Sequence, residues 1–264
     1  MLTAARINGI ALHYRDEGPK DGPVLVFSNS LGTDFRIWDA VVADLPSRLR
    51  IIRYDKRGHG LSDLPDQLWG MGEHVADLAG LLDHLGVKGA VVCGLSVGGM
   101  IAQGLAAERS DLVRAVILCD TGAKIGNPEM WDDRIEIATE QGLEAMADAV
   151  MERWFTKPFR TQDPGFPIWR NMLVRTTVGG YAGTCRAIRD TDLQESTSRL
   201  RLPCLGICGD QDGSTPPDLV RETTALIPGS RFEVVRDAGH IPCVEQPDAT
   251  TALITAFLDE ITHV

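Results

Sequence analysis

The string Gly94-Leu95-Ser96-Val97-Gly98-Gly99 constrains this chain more than any other. It follows a continuous apolar run, Ala90 to Cys93, and leads into Gly98 to Glu108, where apolar residues recur every three to four positions. The run predicts a strand and the spacing predicts a helix. A strand-to-helix reversal this tight crowds the backbone, so small residues are needed on both sides of the serine. Such a turn lifts the Ser96 hydroxyl above the sheet and leaves the next backbone amides free to bind an anion. The plain alternative is a glycine-rich turn capped by a serine, and residues further along the chain argue against it.

Similar apolar runs occur at Val24 to Phe27, Arg50 to Tyr54, Arg114 to Cys119, Cys204 to Cys208 and Phe232 to Val235. Continuous runs fit strands buried on both faces, as in a parallel sheet covered by helices. Helical spacing lies between them, at Phe35 to Leu45, Met71 to Leu85, Pro217 to Leu226 and Pro247 to Ile261. The alternation predicts an α/β fold with right-handed crossovers. The chain opens with two alternating segments, Ala4 to Ile7 and Ile10 to Tyr14, joined by Asn8-Gly9, the favoured two-residue hairpin turn. From Gly122 to Leu200 no strand run occurs, and the segment is rich in Trp, Met and Arg. It reads as a helical insertion, a cap over the C-terminal ends of the strands, where open α/β sheets bind ligands. Residues 1–121 and 201–264 then form the core and 122–200 the cap.

A serine hydroxyl needs a base. Of the six histidines, His240 is the best placed, in Asp237-Ala238-Gly239-His240 directly after a strand. His59, between Gly58 and Gly60, reads as part of a structural turn. His13, His74, His84 and His263 read as surface or packing residues. A carboxylate must hold the imidazole in the right tautomer. Gly209-Asp210-Gln211-Asp212 follows a strand, and Asp212, deeper in the loop, has the better reach; Asp210 reads as a loop-stabilising residue. The candidate catalytic set is Ser96, Asp212 and His240, in that chain order. An oxyanion hole needs two backbone amides. Val97 supplies one, and the loop Ser28-Asn29-Ser30-Leu31-Gly32 supplies the other, from Leu31 with Ser30 as the alternative.

Composition narrows the partners. Across 264 residues, 26 basic and 37 acidic side chains leave a formal charge of −11. Such a chain repels nucleic acid and anionic lipid. No targeting segment and no run near the ~20 apolar residues of a membrane span is visible, so a cytoplasmic location is expected. The six cysteines lie mostly in apolar strings and read as buried thiols; Cys204 and Cys208 lack a second ligand pair for a metal.

These residues resemble the α/β-hydrolase superfamily across essentially the whole chain. The elbow at Ser96, the turn Asp55-Lys56-Arg57-Gly58-His59-Gly60-Leu61-Ser62, the Asp210–Asp212 loop and Gly239-His240 carry the resemblance. It implies a mostly parallel eight-stranded sheet flanked by helices, with the cap inserted after strand six. Where many members have His-Gly at the oxyanion loop, this chain has Asn29-Ser30. Within the superfamily, the Ser28 to Gly32 loop with Trp38, the Gly94 to Met100 elbow, Gly122 to Gly126 with Trp131, and Gly180 to Ile188 are similar to the 3-oxoadipate enol-lactonases. That similarity implies a small anionic lactone as substrate, an acyl-enzyme on Ser96, and no metal or organic cofactor. The carboxylate arm then needs a cation, drawn from Arg134, Arg153, Arg160, Arg170, Arg175, Arg186 or Arg189. Arg134, one helical turn after Trp131, is the choice. Trp131 either walls the substrate or packs the cap on the sheet. Another cap-bearing esterase or carbon–carbon bond hydrolase is the alternative; a ligand receptor that keeps the triad, and cofactor-free halide peroxidation, are further readings. Ser96 in place of an aspartate disfavours a dehalogenase.

Overall fold

The computed structural model describes residues 3–262, so His263 lies outside the described residues. Eight strands form one sheet: β1 (Thr3–Ile7), β2 (Ile10–Glu17), β3 (Val24–Ser28), β4 (Arg50–Tyr54), β5 (Ala90–Leu95), β6 (Val113–Cys119), β7 (Cys204–Gly209) and β8 (Arg231–Val235), in the order β1-β2-β4-β3-β5-β6-β7-β8. β2 runs antiparallel to both β1 and β4, and every other pairing is parallel. The opening hairpin turns at Asn8 and Gly9 with φ of 48° and 85°. Both residues are left-handed, which matches the right-handed twist of the strands they join.

Around the sheet pack α1 (Asp39–Ala43, after a 3₁₀ turn at Phe35–Trp38), α2 (Met71–His84) and α3 (Val97–Glu108). Between β6 and β7 lie α4 (Pro128–Gln141), α5 (Ala147–Trp154), α6 (Lys157–Gln162), α7 (Phe166–Val174), α8 (Val178–Arg189) and α9 (Gln194–Ser198); α10 (Pro217–Ala225), α11 (Pro242–Glu245) and α12 (Pro247–Thr262) follow. None of these helices is long and apolar enough to cross a membrane. All six cysteines are buried free thiols.

β5 and β7 are buried along their full length, as continuous apolar runs require between two helical layers. β8 departs from the expectation of a strand buried on both faces. It closes the edge of the sheet with one neighbour, and within it only Val235 is buried while Val234 is 40% exposed. An apolar string alone does not distinguish a central strand from an edge.

The helices between β6 and β7 have local causes. α4 starts at Asn127, whose side chain accepts the Met130 N–H, with Pro128 in the first turn, and ends at Gly142 with φ 79°. α8 starts at Thr177, which accepts the Gly180 N–H and donates to the Gly58 carbonyl. A Cβ on Gly180 would sit 1.9 Å from that carbonyl oxygen, so the contact between α8 and the core turn requires glycine.

Because β3 and β5 to β8 are parallel, the loops that leave their C-terminal ends share one edge of the sheet. One of the charged anchors below that edge is the buried pair of Arg57 and Asp77, at 2.7 Å, whose carboxylate also accepts from Asn8. It ties the hairpin turn, the loop after β4 and α2 together. Removing one partner of a buried pair strands the other charge. Asp77→Ala is expected to cost about 3–5 kcal/mol in urea unfolding; a loss below ~1 kcal/mol, the scale of an exposed pair, contradicts this role.

Candidate active site

Ser96 sits between β5 and α3 with φ 59° and ψ −120°. A left-handed serine is strained, and the surroundings hold it there. Its N–H donates to Cys119 O at 2.9 Å, and its carbonyl accepts from Thr121 Oγ1 at 2.6 Å and Gly99 N–H at 2.9 Å. A Cβ on Gly94 would lie 2.2 Å from Gly98 O, and one on Gly98 would lie 2.1 Å from Ser28 O. The elbow therefore closes only with glycine at both positions.

His240 and Asp212 come from the loops after β8 and β7. His240 Nδ1 lies 2.9 and 3.1 Å from the two oxygens of Asp212. The carboxylate also accepts the Ser214 and Thr215 N–H groups and the Thr215 hydroxyl. Burial pushes the Asp212 carboxyl up, but His240 and these hydrogen bonds outweigh it and hold the group below its ordinary value. With Nδ1 turned to the carboxylate, Nε2 is left for chemistry. The His240 N–H donates to Trp154 O at 2.8 Å, which ties the loop to the end of α5.

Ser96 and His240 line the same cavity, of about 80 Å³, together with Ser30, Leu31, Trp131, Arg134, Arg153 and Tyr181. The backbone N–H groups of Leu31 and Val97 have no acceptor among the described residues, as an oxyanion site requires. A larger cleft of about 640 Å³ opens elsewhere, beside His13, Phe35 and Arg175, and contains none of Ser96, Asp212 or His240.

The sequence model of the alpha/beta hydrolase fold matches residues 23–247. The chain belongs to the α/β-hydrolase family. It is 35% identical over 250 residues to 3-oxoadipate enol-lactonase 2 of Acinetobacter baylyi, covering 94% of this chain and 93% of that protein. The crystal structure of the enol-lactonase from Burkholderia xenovorans superimposes with a TM-score of 0.94 at 39% identity, covering 97% of this chain and 100% of the other. A thermophilic esterase from Thermogutta terrifontis, with malate bound, gives a TM-score of 0.91 at 28% identity over 99% of both chains.

Within this hydrolase scaffold the arginines between β6 and β7 separate by environment. Arg160, Arg170 and Arg189 are paired with surface carboxylates. Arg134 lies over the Trp131 ring at 5.0 Å and lines the cavity. Arg153 faces it too, with its Nε buried and unpartnered; burial and the nearby Arg134 charge lower its pKa. Trp131 lines the cavity, and its indole N–H donates to Ile125 O at 2.7 Å, within the same inserted segment.

His59 takes no place at the cavity. It is buried, accepts the Gly32 N–H on Nε2 and donates from Nδ1 to Arg57 O, so both nitrogens are committed. Burial, reinforced by the Lys56 charge, pushes it far below the ordinary imidazole range. Asp210 links its loop to the one after β8, accepting the Ala238 N–H at 3.3 Å.

Asp120, at the end of β6, was not singled out from the sequence. It is fully buried, accepts the Gly209 N–H at 2.9 Å, and has groups within 4.8 Å of both Asp212 and His240. Burial, then the Asp212 charge, raises its pKa well above the ordinary range. The folded chain thus keeps a proton here that the unfolded chain releases above pH ~3.9, so this group lowers stability as pH rises from there. Asp120→Asn keeps the acceptor for Gly209 and removes the linkage. Its stability gain over wild type is expected to be absent near pH 3.5 and to grow with pH by up to about 1.4 kcal/mol per unit. A gain independent of pH in denaturant titrations would refute a protonated Asp120.

Proposed function

We propose that the chain hydrolyses 3-oxoadipate enol-lactone to 3-oxoadipate in aromatic catabolism by the β-ketoadipate route, through an acyl-enzyme on Ser96. The observation that carries this reading is one cavity holding a strained serine, a carboxylate-held histidine and two arginines without carboxylate partners among the described residues. The names of the relatives above point to the same substrate class.

Ser96 Oγ attacks the ring carbonyl and its proton passes to His240 Nε2. Asp212 stabilises the imidazolium, being held ionised by its hydrogen bonds. The amides of Leu31 and Val97 receive the oxyanion. Collapse expels the enolate, which takes the proton back from His240 and stays tethered, because ring opening yields a single acyl chain. Water, activated by His240, then releases the acid, and the enol tautomerises to the ketone. None of these steps draws on a metal or organic cofactor. Arg134 and Arg153 hold the carboxymethyl arm, which accounts for an anionic substrate entering a protein of charge −11. In this reading residues 122–200 are the cap that supplies these arginines and shields the acyl-enzyme, on a core of 1–121 and 201–264.

Steady-state rates with freshly generated enol-lactone test the assignment. Wild type is expected to reach kcat/KM of ~10⁴ M⁻¹s⁻¹ or more, and Ser96→Ala to lose about 10⁴-fold or more. Hydrolysis of p-nitrophenyl acetate with no lactone turnover would move the chain to the other esterases. Arg153→Met is expected to raise KM for the lactone by about 10–100-fold, the scale of a charge-assisted hydrogen bond. KM for the neutral p-nitrophenyl acetate should not move; an equal rise for both would remove Arg153 from anion binding.

A further inference from the structure

Behind the oxyanion loop lies a buried cation that the chemistry above does not use. Lys56 is 1% exposed, and its Nζ donates to Ser30 O at 2.5 Å and to Thr33 O at 3.3 Å. Asp55 and Asp34 offset its charge from a distance, and neither shares a hydrogen bond with Nζ. The ammonium is spent on backbone carbonyls, an expensive use of a buried charge.

Its target matters. Ser30 O and the Leu31 N–H belong to one peptide group, and the described residues contain no cis peptide bond. In a trans peptide the carbonyl and the amide hydrogen point to opposite sides. A carbonyl turned back to Lys56 therefore turns the Leu31 N–H away from it, and Leu31 lines the cavity with Ser96. A cation on the carbonyl oxygen also draws electron density from the nitrogen, which makes the N–H a stronger donor. Linked hydrogen bonds polarise one another in this way.

We propose that Lys56 is a positioning residue for the oxyanion hole, acting through the Ser30–Leu31 peptide to aim and polarise the Leu31 N–H. This rests on the reading of Ser96 and Leu31 given above. The loop has other supports for its shape. Ser30 O also accepts from Thr33 Oγ1 at 2.9 Å, Thr33 O accepts from Asn29 Nδ2 at 2.6 Å, and the Gly32 N–H is held by His59. Lys56 adds charge to a loop that is already closed.

The test is Lys56→Met, which keeps the volume and removes the charge. Burial draws the Lys56 ammonium down to about 7, with Asp55 and Asp34 opposing the shift, while burial keeps His59 and His74 neutral. Assays are therefore run at pH 6.5, where Lys56 is mostly charged. Complete loss of an oxyanion donor costs about 10²–10³-fold in kcat, and weakening one is expected to cost ~10-fold with KM within about twofold. A trifluoromethyl ketone gives a second readout. Ser96 Oγ adds to its carbonyl carbon, the serine proton passes to His240, and the former carbonyl oxygen becomes an anion in the hole. Its Ki should rise by the same factor as kcat falls, which a purely structural role would not produce.

A folded Lys56→Met with kcat and Ki within twofold of wild type overturns the proposal, as does a rise in KM with kcat unchanged. If that variant does not fold, Lys56→Gln, which retains a neutral donor, is judged by the same two readouts. Retained turnover in Ser96→Ala would overturn the parent reading instead, and Lys56→Met leaves that nucleophile in place.

Discussion

Backbone crowding at Ser96 is the constraint on which the rest of the structure depends. The turn from β5 into α3 brings Gly94 against Gly98, and Gly98 against the end of β3, at distances no side chain tolerates. This compression forces the left-handed serine and frees the first amides of α3. It also sets β3 beside β5, so that the loop bearing Leu31 leaves the sheet next to the elbow. The strain at one residue is borne by hydrogen bonds to Cys119 and Thr121 on the other neighbouring strand and its loop. A functional site can hold such an outlier because the surroundings over-determine it.

Electrostatics at the site is local and opposes the charge of the whole chain. A field of −11 does not govern a small cavity in which two arginines lack carboxylate partners among the described residues. The carboxylates nearest His240 are handled differently. Asp212 is kept ionised by donors, whereas Asp120, with one backbone donor and a like charge beside it, is driven toward the neutral acid. Two aspartates after β6 and β7 are thus shifted in opposite directions, because burial dominates at Asp120 whereas at Asp212 the His240 charge and the hydrogen-bond donors outweigh it.

The parts legible in the sequence are those with a period or a local turn signature. Strand runs, the Asn8-Gly9 hairpin, the elbow and the helical segment after β6 all depend on neighbours in sequence, and the structure has them where the pattern puts them. The meeting of Ser96 and His240 at one cavity followed from strand order, since loops after parallel strands share an edge. The remainder needed distances across the fold. Nothing local tells Asp120 from any aspartate after a strand, and its role depends on Gly209 and Asp212. Lys56 sits in a turn that reads as structural, and only its distance to Ser30 O points to the oxyanion loop. Arg153 stood among seven arginines until the partners of Arg160, Arg170 and Arg189 were visible. The edge position of β8 escaped the apolar pattern for the same reason.

The bond from the His240 N–H to the Trp154 carbonyl has a mechanical consequence. The end of α5 is fastened to the very loop that carries the proposed base, and Thr156 is fastened beside it through Glu245, which also holds the Gly239 N–H. This corner of the helical segment therefore travels with the sheet. A displacement of α5 large enough to admit a ligand would carry the imidazole away from Ser96. These bonds do not reach α4, which contributes Met130, Trp131 and Arg134 to another side of the cavity wall.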